Sequence, residues 1–179
     1  MAGVDETKLI IFAGLPGTGK TTIARELTRQ LDAVYLRIDS IEQAIRNSRR
    51  ESLPVEDEGY REAYALAEKH LRLGRVVIAD SVNPLAITRD AWAAVATRSK
   101  VGALEIEFLC SDAAQHRKIV ELRSPDIPGL ELPSWEAVLS REYDPWTRDH
   151  LVIDTAIRTP DECIQMIQET LAERISRSQ

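Results

Sequence analysis

Residues 9–22 constrain the fold most, because an apolar run there breaks into glycines and is followed by a helical pattern. Gly14, Gly19, Lys20 and Thr21 satisfy the motif G-x-x-x-x-G-K-[ST]. In this motif, successive backbone N–H groups form a concave anion site at a helix N-terminus. The sequence therefore predicts a phosphate-binding loop.

Each residue type in this loop has a mechanical role. Glycine lets the backbone approach phosphate oxygens, Lys20 places a charge near the β- and γ-phosphates, and the Thr21 hydroxyl suits a bridging Mg²⁺. Ile23 and Leu27 begin the amphipathic helix that the motif requires after the loop. The alternative interpretation is a glycine-rich turn that opens an ordinary helix. We expect nucleotide contacts from Gly14, Leu15, Pro16, Gly17, Thr18, Gly19, Lys20, Thr21 and Thr22.

Short apolar runs alternate with helical patterns along the whole chain, which favours a parallel sheet with helices on both faces. We predict strands at 8–13, 33–38, 75–79, 103–110 and 151–154. Beyond the loop helix, we predict helices at 41–47, 57–73, 85–99, 113–122, 135–143 and 161–175. Gly74 is expected to close the helix at 57–73, and Asn83 with Pro84 to begin the next.

Three predicted strands end in a carboxylate, at Asp39, Asp80 and Asp154. Parallel sheets bind ligands beyond the carboxyl ends of their strands, but an aspartate after a strand is also a common helix cap. We favour a functional role for Asp39 and Asp80, which the phosphate loop would face, and a turn or capping role for Asp154.

In phosphoryl transfer, Asp39 and Asp80 would have different roles. Asp80, after an apolar strand, suits Mg²⁺ held directly or through water, and Asp39 suits the proton of an acceptor hydroxyl. A second carboxylate favours a kinase over a mechanical ATPase, whose catalytic acid usually orients water. The sequence leaves both open at this point.

Residues 111–125 follow the fourth predicted strand and concentrate positive charge. One interpretation is a solvated helix in which Arg117 pairs with Glu121 at i, i+4. The other is a lid whose arginines, including Arg123, close over the phosphates and exclude water. Three prolines in residues 124–133 rule out continuous helix there and favour a mobile cover.

Residues 140–146 carry Arg141, Tyr143 and Trp146. An aromatic side chain beside an arginine suits a small polar or planar acceptor. The alternative is that the two aromatic residues only anchor the return of the chain into the fifth strand.

Composition sets broader bounds. A net charge of −6 over 179 residues argues against a protein that coats nucleic acid or an anionic membrane. We expect a cytoplasmic protein without a membrane span, since the N-terminus is polar, the apolar runs have strand length, and the two cysteines lack metal spacing.

The phosphate loop, Asp39, the turn at 80–84 and the segment from His116 to Arg123 together resemble the P-loop small kinases of the AAA_33 and zeta-toxin type. This group is similar to polynucleotide kinase, gluconate kinase and chloramphenicol phosphotransferase. The resemblance implies a P-loop NTPase three-layer α/β sandwich: a five-stranded parallel sheet in the order 2-3-1-4-5 with a helical lid. It also implies ATP with Mg²⁺, Asp39 as base, lid arginines at Arg117 and Arg123, and an adenine site near residues 158–160.

The sequence departs from polynucleotide kinases, in which an arginine follows the acidic residue after the second strand; here Ser40 follows Asp39. A nucleic-acid acceptor is therefore disfavoured. We predict one domain over residues 1–179, with a lid and acceptor region at about 112–148, that transfers the γ-phosphate of ATP to a hydroxyl of a small molecule. The predicted catalytic residues are Lys20, Asp39, Arg117 and Arg123, the predicted metal ligands are Thr21 and Asp80, and Arg117 also contacts the nucleotide. The alternatives are a polynucleotide 5′-hydroxyl kinase and a nucleotide-dependent ATPase or switch, and the oligomeric state is left open.

Overall fold

A computed structural model describes residues 6–48 and 57–176. The five strands of this part of the chain are β1 (Thr7–Ala13), β2 (Val34–Arg37), β3 (Val77–Asp80), β4 (Gly102–Leu109) and β5 (Leu151–Asp154). Its helices are α1 (Lys20–Leu31), α2 (Ile38–Ser48), α3 (Glu58–Arg72), α4 (Ala86–Ser99), α5 (Ala113–Leu122), α6 (Trp135–Leu139) and α7 (Pro160–Ser176).

The strands form one parallel sheet in the order β2-β3-β1-β4-β5, which confirms the predicted topology. The central strand β1 pairs with β3 on one side and with β4 on the other. All five strands therefore end at the same edge, where a doubly covered parallel sheet binds its ligands.

Helices cover both faces of the sheet, and the residues of β1 explain why. Ile10 and Phe12 point into one core with α1 and α7, whereas Leu9 and Ile11 point into the other core with α3 and α4. Successive side chains of a strand alternate between faces, so an apolar run such as residues 9–12 is stable only when both faces are dry. Trp92, fully buried on α4, is the largest side chain of the second core.

Several helix ends have a clear local cause. Asp112 accepts from the backbone N–H groups of Ala114 and Gln115, at 2.9 and 3.0 Å, and caps α5. Gly74 follows the C-cap of α3 with φ 79°, as predicted. The Asp154 carboxylate accepts from the N–H of Ala156 at 3.0 Å, which confirms its predicted turn role.

Three local predictions are wrong. β2 ends at Arg37 and α2 begins at once, so Asp39 lies in the first turn of a helix rather than at a strand end. Asn83 and Pro84 do not begin α4 as predicted: the helix starts at Ala86 with Leu85 as its N-cap, and the Ala86 N–H donates to the Asp144 carboxylate at 2.7 Å. The Asp144 N–H also donates to Pro84 O at 2.8 Å, so Asp144 is held against the start of α4. The chain therefore leaves α6 early, and this helix ends at Leu139 instead of residue 143.

Candidate functional site

The phosphate loop takes its shape from glycines that cannot be replaced locally. Gly14 has φ 134°, and its N–H donates to Val82 O at 3.0 Å. A Cβ at this residue would lie 2.3 Å from Phe108 O, closer than real contacts allow. The loop therefore lies directly between the ends of β3 and β4, with its conformation fixed by glycine.

Helix α5 packs against the outside of the same loop. His116 Nε2 lies 2.8 Å from Pro16 O, and because a carbonyl only accepts, Nε2 carries the hydrogen. A Cβ on Gly17 would lie 2.6 Å from Cγ2 of Val120, so glycine permits this close packing. His116 lies within the segment 111–125 that the sequence predicts as a lid, but no role was predicted for it; its contact with a loop 100 residues away has no local signal.

Lys20 folds back over the loop that precedes it. Its Nζ donates to Gly14 O at 2.7 Å, to Leu15 O at 2.9 Å and to Thr18 Oγ1 at 3.3 Å, and the residue is only 7% exposed. Burial lowers the pKa of Lys20 to about 8, although the charges of Asp80 and Asp39 favour its protonated form. A desolvated ammonium held by carbonyl oxygens is poised for an anion.

Asp80 ends β3 directly beneath the start of α1. One carboxylate oxygen, Oδ2, accepts from Thr21 Oγ1 at 3.0 Å and from Tyr35 OH at 2.6 Å, and Asp80 is 3% exposed. Burial, reinforced by the Asp80 charge, raises the pKa of Tyr35 well above its ordinary value, so the phenol stays a donor. Tyr35 was not predicted as a site residue, although its place on β2 beside β3 was available from the strand order.

The oxygens of Thr21 and Asp80 fit the donor set that Mg²⁺ prefers, and their present hydrogen bond places them on the same side of the loop. Within residues 6–48 and 57–176, no group of three or more histidine, cysteine or acidic side chains is arranged to hold a metal.

Asp39 faces the phosphate loop across an open cleft. Its side chain is 48% exposed, and Oδ2 accepts from Arg37 at 3.3 Å. Asp39 is thus hydrated and held by one guanidinium, whereas Asp80 is dry and held by two hydroxyl groups. The structure brings both carboxylates within electrostatic reach of Lys20.

The cleft between these groups has a volume of about 490 Å³. Six parts of the chain contribute: the phosphate loop with α1, the end of β2 with α2, α3, the turn after β3, α5 with the segment that follows it, and the segment after α6. The polar side chains lining it are Lys20, Thr21, Thr22, Arg25, Arg37, Asp39, Glu42, Arg46, Tyr60, Ser81, Arg123, Ser124, Asp126, Glu131 and Arg141.

The two predicted lid arginines differ in position. Arg123 lines the cleft and is partly buried; burial lowers its pKa from the ordinary value, and the charge of Asp39 opposes that shift. Arg117 is 56% exposed, donates to Glu121 at 2.7 Å and lies outside the cleft. The conformation described here therefore corresponds to the solvated-helix interpretation for Arg117, and its predicted catalytic role stays a prediction.

Asp126, in the proline-rich segment after α5, ties that segment to the cleft. Its carboxylate accepts from Arg37 at 2.6 Å and also pairs with Arg25 on α1. Sequence reasoning missed Asp126 and Arg37. The two are 89 residues apart, and nothing in the local pattern around either residue marks the pair.

The segment 140–146 divides its side chains between the cleft and the core. Arg141 lines the cleft, but Tyr143 and Trp146 lie over the guanidinium of buried Arg89, at 5.3 and 4.3 Å. Arg89 also donates to four backbone carbonyl oxygens, those of Asn83, Pro84, Asp144 and Pro145. Packing therefore accounts for the two aromatic residues, and Arg89 is the anchor that the sequence did not reveal.

The loop after β5 lies beside the phosphate loop, since Thr155 Oγ1 lies 3.2 Å from Thr18 O. Arg158, expected from the resemblance to frame adenine with its neighbours, lies further along this loop and does not line the cleft. Its contact with adenine stays a prediction.

Comparison with known proteins gives one family match for the chain. The sequence matches AAA_33, described as an AAA domain, over residues 9–126. A comparison with curated protein sequences found no match.

Solved structures share the fold at low sequence identity. One is the APS kinase CysC of Mycobacterium tuberculosis in complex with AMPPNP and APS, at 19% identity and TM-score 0.69, covering 94% of this chain and 99% of that one. Others are a gluconokinase from Sinorhizobium meliloti 1021, at 16% and 0.63 with coverages of 95% and 94%, and Chaetomium thermophilum Kti12 in complex with ADP-AlF3, at 20% and 0.66 with 91% and 98%. The fold is P-loop kinase-like. The helices of the described residues are all too short or too polar to span a membrane.

Proposed function

The chain belongs to the AAA_33 family, and from that premise we propose that it is a kinase that transfers the γ-phosphate of ATP to a hydroxyl of a small molecule. One observation carries the proposal: the phosphate loop and the Asp39 carboxylate line the same cleft of about 490 Å³. A phosphoryl donor and an acceptor hydroxyl can therefore meet there, held by different elements.

The donor half consists of the loop and the first turn of α1. Backbone N–H groups at this helix N-terminus bind the phosphates, and Lys20 exchanges its carbonyl partners for phosphate oxygens. Thr21 and Asp80 would hold Mg²⁺, directly or through water, and the ion would neutralise charge on the β- and γ-phosphates. Tyr35 keeps Asp80 oriented through its 2.6 Å hydrogen bond.

The acceptor half centres on Asp39. Its carboxylate accepts a hydrogen bond from the acceptor hydroxyl and takes the proton as the acceptor oxygen bonds to the γ-phosphorus; the bond from that phosphorus to the β,γ-bridging oxygen breaks and ADP leaves. Arg37 restrains the carboxylate at 3.3 Å. Arg123, already in the cleft, faces the transferring group, whereas Arg117 would have to leave Glu121 and move inward.

The test is phosphate transfer from labelled ATP to a pool of hydroxylated metabolites. We expect Asp39→Asn to lower transfer by about 10²- to 10⁴-fold while ATP still raises the melting temperature, because the donor half is intact. Asp32→Asn is the matched control, since Asp32 ends α1 with φ 48°, a conformation that asparagine adopts readily.

Two results would contradict the proposal. Release of free phosphate only, unchanged in Asp39→Asn, would identify an ATPase or switch. Transfer confined to the 5′-hydroxyl of an oligonucleotide would identify a nucleic-acid kinase.

A further inference from the structure

The end of the cleft away from the phosphate loop is lined by basic side chains. Arg46 projects from α2 and Arg141 from the segment after α6. Counting the whole lining among the described residues, six basic side chains face four carboxylates, a local net charge of +2 in a chain whose overall charge is −6. Positive charge is therefore concentrated at this cleft.

The arginines of the cleft differ in how their charge is satisfied. Arg25 and Arg37 share the Asp126 carboxylate, and Arg37 also contacts Asp39. Arg46 lies 3.5 Å from Glu42, a loose i, i+4 pair on an open helix face. The Arg141 guanidinium has no hydrogen bond or ion pair with any other side chain of residues 6–48 and 57–176, and its charge acts on Glu42. Arg141 is thus available to a ligand.

The helix that carries Asp39 gives the order of three of these groups along the cleft. Asp39, Glu42 and Arg46 stand at i, i+3 and i+7 of α2, so they share one face and follow one another away from the start of the helix. Burial raises the pKa of Glu42, and the charges of Arg46 and Arg141 oppose that shift. Arg46 lies about 10 Å from Asp39 along the helix axis, and Arg141 lines the same cleft. A molecule with its hydroxyl at Asp39 and its other end pointing away from the phosphate loop therefore reaches Arg46 and Arg141.

We propose, on the basis of the kinase function above, that the acceptor is a small hydroxylated anion whose carboxylate or phosphate group binds Arg141 and Arg46 while its hydroxyl lies at Asp39. The planar guanidinium of Arg141 suits bidentate binding of either group. The volume of the cleft, about 490 Å³ and shared with the ATP phosphates, limits the acceptor to a compact molecule.

The first experiment measures binding to the acceptor half alone. The full-length protein is saturated with Mg²⁺ and AMPPNP, which fills the β- and γ-phosphate positions, and is then titrated with matched probes at constant ionic strength. The probes are glycerate against glycerol and ribose 5-phosphate against ribose. We expect at least one anion to raise the melting temperature saturably and both neutral partners to have no effect.

The variant Arg141→Gln distinguishes binding at this site from a general effect of salt on stability, because a salt effect is the same in the variant and in the native protein. We expect the dissociation constant of the anion to rise about 10- to 100-fold in this variant, the contribution of a charge-assisted hydrogen-bonded pair. Arg29→Gln is the matched control, because Arg29 is 73% exposed on the outer face of α1. Stabilisation by AMPPNP reports that each variant is folded.

The outcomes separate this inference from the kinase proposal. If AMPPNP does not stabilise the protein, the kinase proposal fails. If AMPPNP binds but neither anion does, or if Arg141→Gln binds the anion as the native protein does, the anionic acceptor is wrong and the kinase proposal stands.

A transfer assay then gives the kinetic signature. The anion that binds is expected to be phosphorylated, and Arg141→Gln to raise its KM by about the same factor as its dissociation constant with kcat nearly unchanged, because Arg141 lies beyond the reacting atoms. Faster transfer to the neutral partner than to the anion would overturn the proposal, and so would transfer only to an oligonucleotide.

Discussion

Replacing Lys20 by methionine is expected to stabilise the protein while removing its response to ATP. Methionine fills nearly the same volume without a charge, and Lys20 is 7% exposed in a pocket of backbone carbonyls. In the proposed function Lys20 binds phosphate, but in the protein alone it is a buried cation. The native protein is therefore less stable than its packing alone would allow.

The size of the effect follows from the pKa of Lys20. Burial lowers it from 10.5 to about 8, and a shift of this size corresponds to about 3 kcal/mol at neutral pH. Methionine gives up the hydrogen bonds to Gly14 O, Leu15 O and Thr18 Oγ1. Leu15 O keeps Thr18 as a donor, so the loss falls mainly on Gly14 O and costs about 1–2 kcal/mol. The net gain is about 1–2 kcal/mol, or a rise of about 2–8 °C in melting temperature.

The gain has a definite pH dependence. Below pH 8, Lys20 is charged in both the folded and the unfolded chain, and the full penalty is present. Between pH 8 and 10.5 the folded state releases the proton while the unfolded state keeps it, so native stability rises relative to that of the methionine variant. At about pH 9.5 roughly 2 kcal/mol of the penalty has gone, and we expect the advantage of Lys20→Met to have disappeared.

The test is the free energy of unfolding of the native protein and of Lys20→Met, measured in urea at pH 7 and at pH 9.5. All other titrating groups are common to the two proteins, so their contributions cancel when the two free energies are subtracted. The reasoning is refuted if Lys20→Met is less stable at pH 7, or if the difference between the proteins is the same at both pH values. The phosphate-loop assignment itself is refuted if ATP with Mg²⁺ still stabilises Lys20→Met as much as the native protein.

Three further predictions concern Lys20, Gly14 and Arg89. ATP affinity is expected to fall by about fivefold between pH 8 and 9 in calorimetric titrations, because the phosphates require charged Lys20; a flat profile would contradict the lowered pKa. Gly14→Ala is expected to lower the free energy of unfolding in urea by more than about 3 kcal/mol, since the new Cβ would meet Phe108 O. Gly74→Ala is the comparison, because a Cβ there has no atom within 4 Å, and we expect it to cost only about 1–2 kcal/mol from its positive φ. Equal costs would rule out the clash at Gly14. Arg89→Met is expected to cost about 3–5 kcal/mol in the same assay because the carbonyl oxygens of Asn83, Asp144 and Pro145 lose their guanidinium donor, while Pro84 O keeps the Asp144 N–H; a loss below about 1 kcal/mol would show that Arg89 is not the anchor.

The sequence predicted the sheet well because the signals for it are local. The apolar runs are bounded by glycine or aspartate, and the motif at residues 14–21 requires a strand before it and a helix after it. Asp80 ends β3 as expected, because a buried strand leaves its first polar residue at the edge of the sheet. The strand order came from the family resemblance, since alternating apolar runs alone do not determine which strands are neighbours.

The sequence predicted the surroundings of Asp39 less well because they depend on where a helix begins. The residues from Ile38 onward read equally as the end of a strand and as the start of a helix. In the fold, α2 starts without a loop, and Asp39 takes a first-turn position that the helix dipole favours for a carboxylate. Asp39 still faces the phosphate loop, because the end of β2 already lies at the ligand edge of the sheet.

The two halves of the cleft differ in how the chain holds their charges, and this difference explains which half the sequence reveals. At the donor end, Lys20, Thr21 and Asp80 are fixed by backbone carbonyls and buried hydroxyl groups, so they need a strict local pattern that a motif records. At the acceptor end, Arg141 and Arg46 project from a loop and an open helix face, and their long side chains can reach a ligand from many backbone positions. No fixed spacing is needed there. The proposed donor half is therefore recognisable in the sequence, whereas the proposed acceptor half has to be inferred from the charges that the fold brings together.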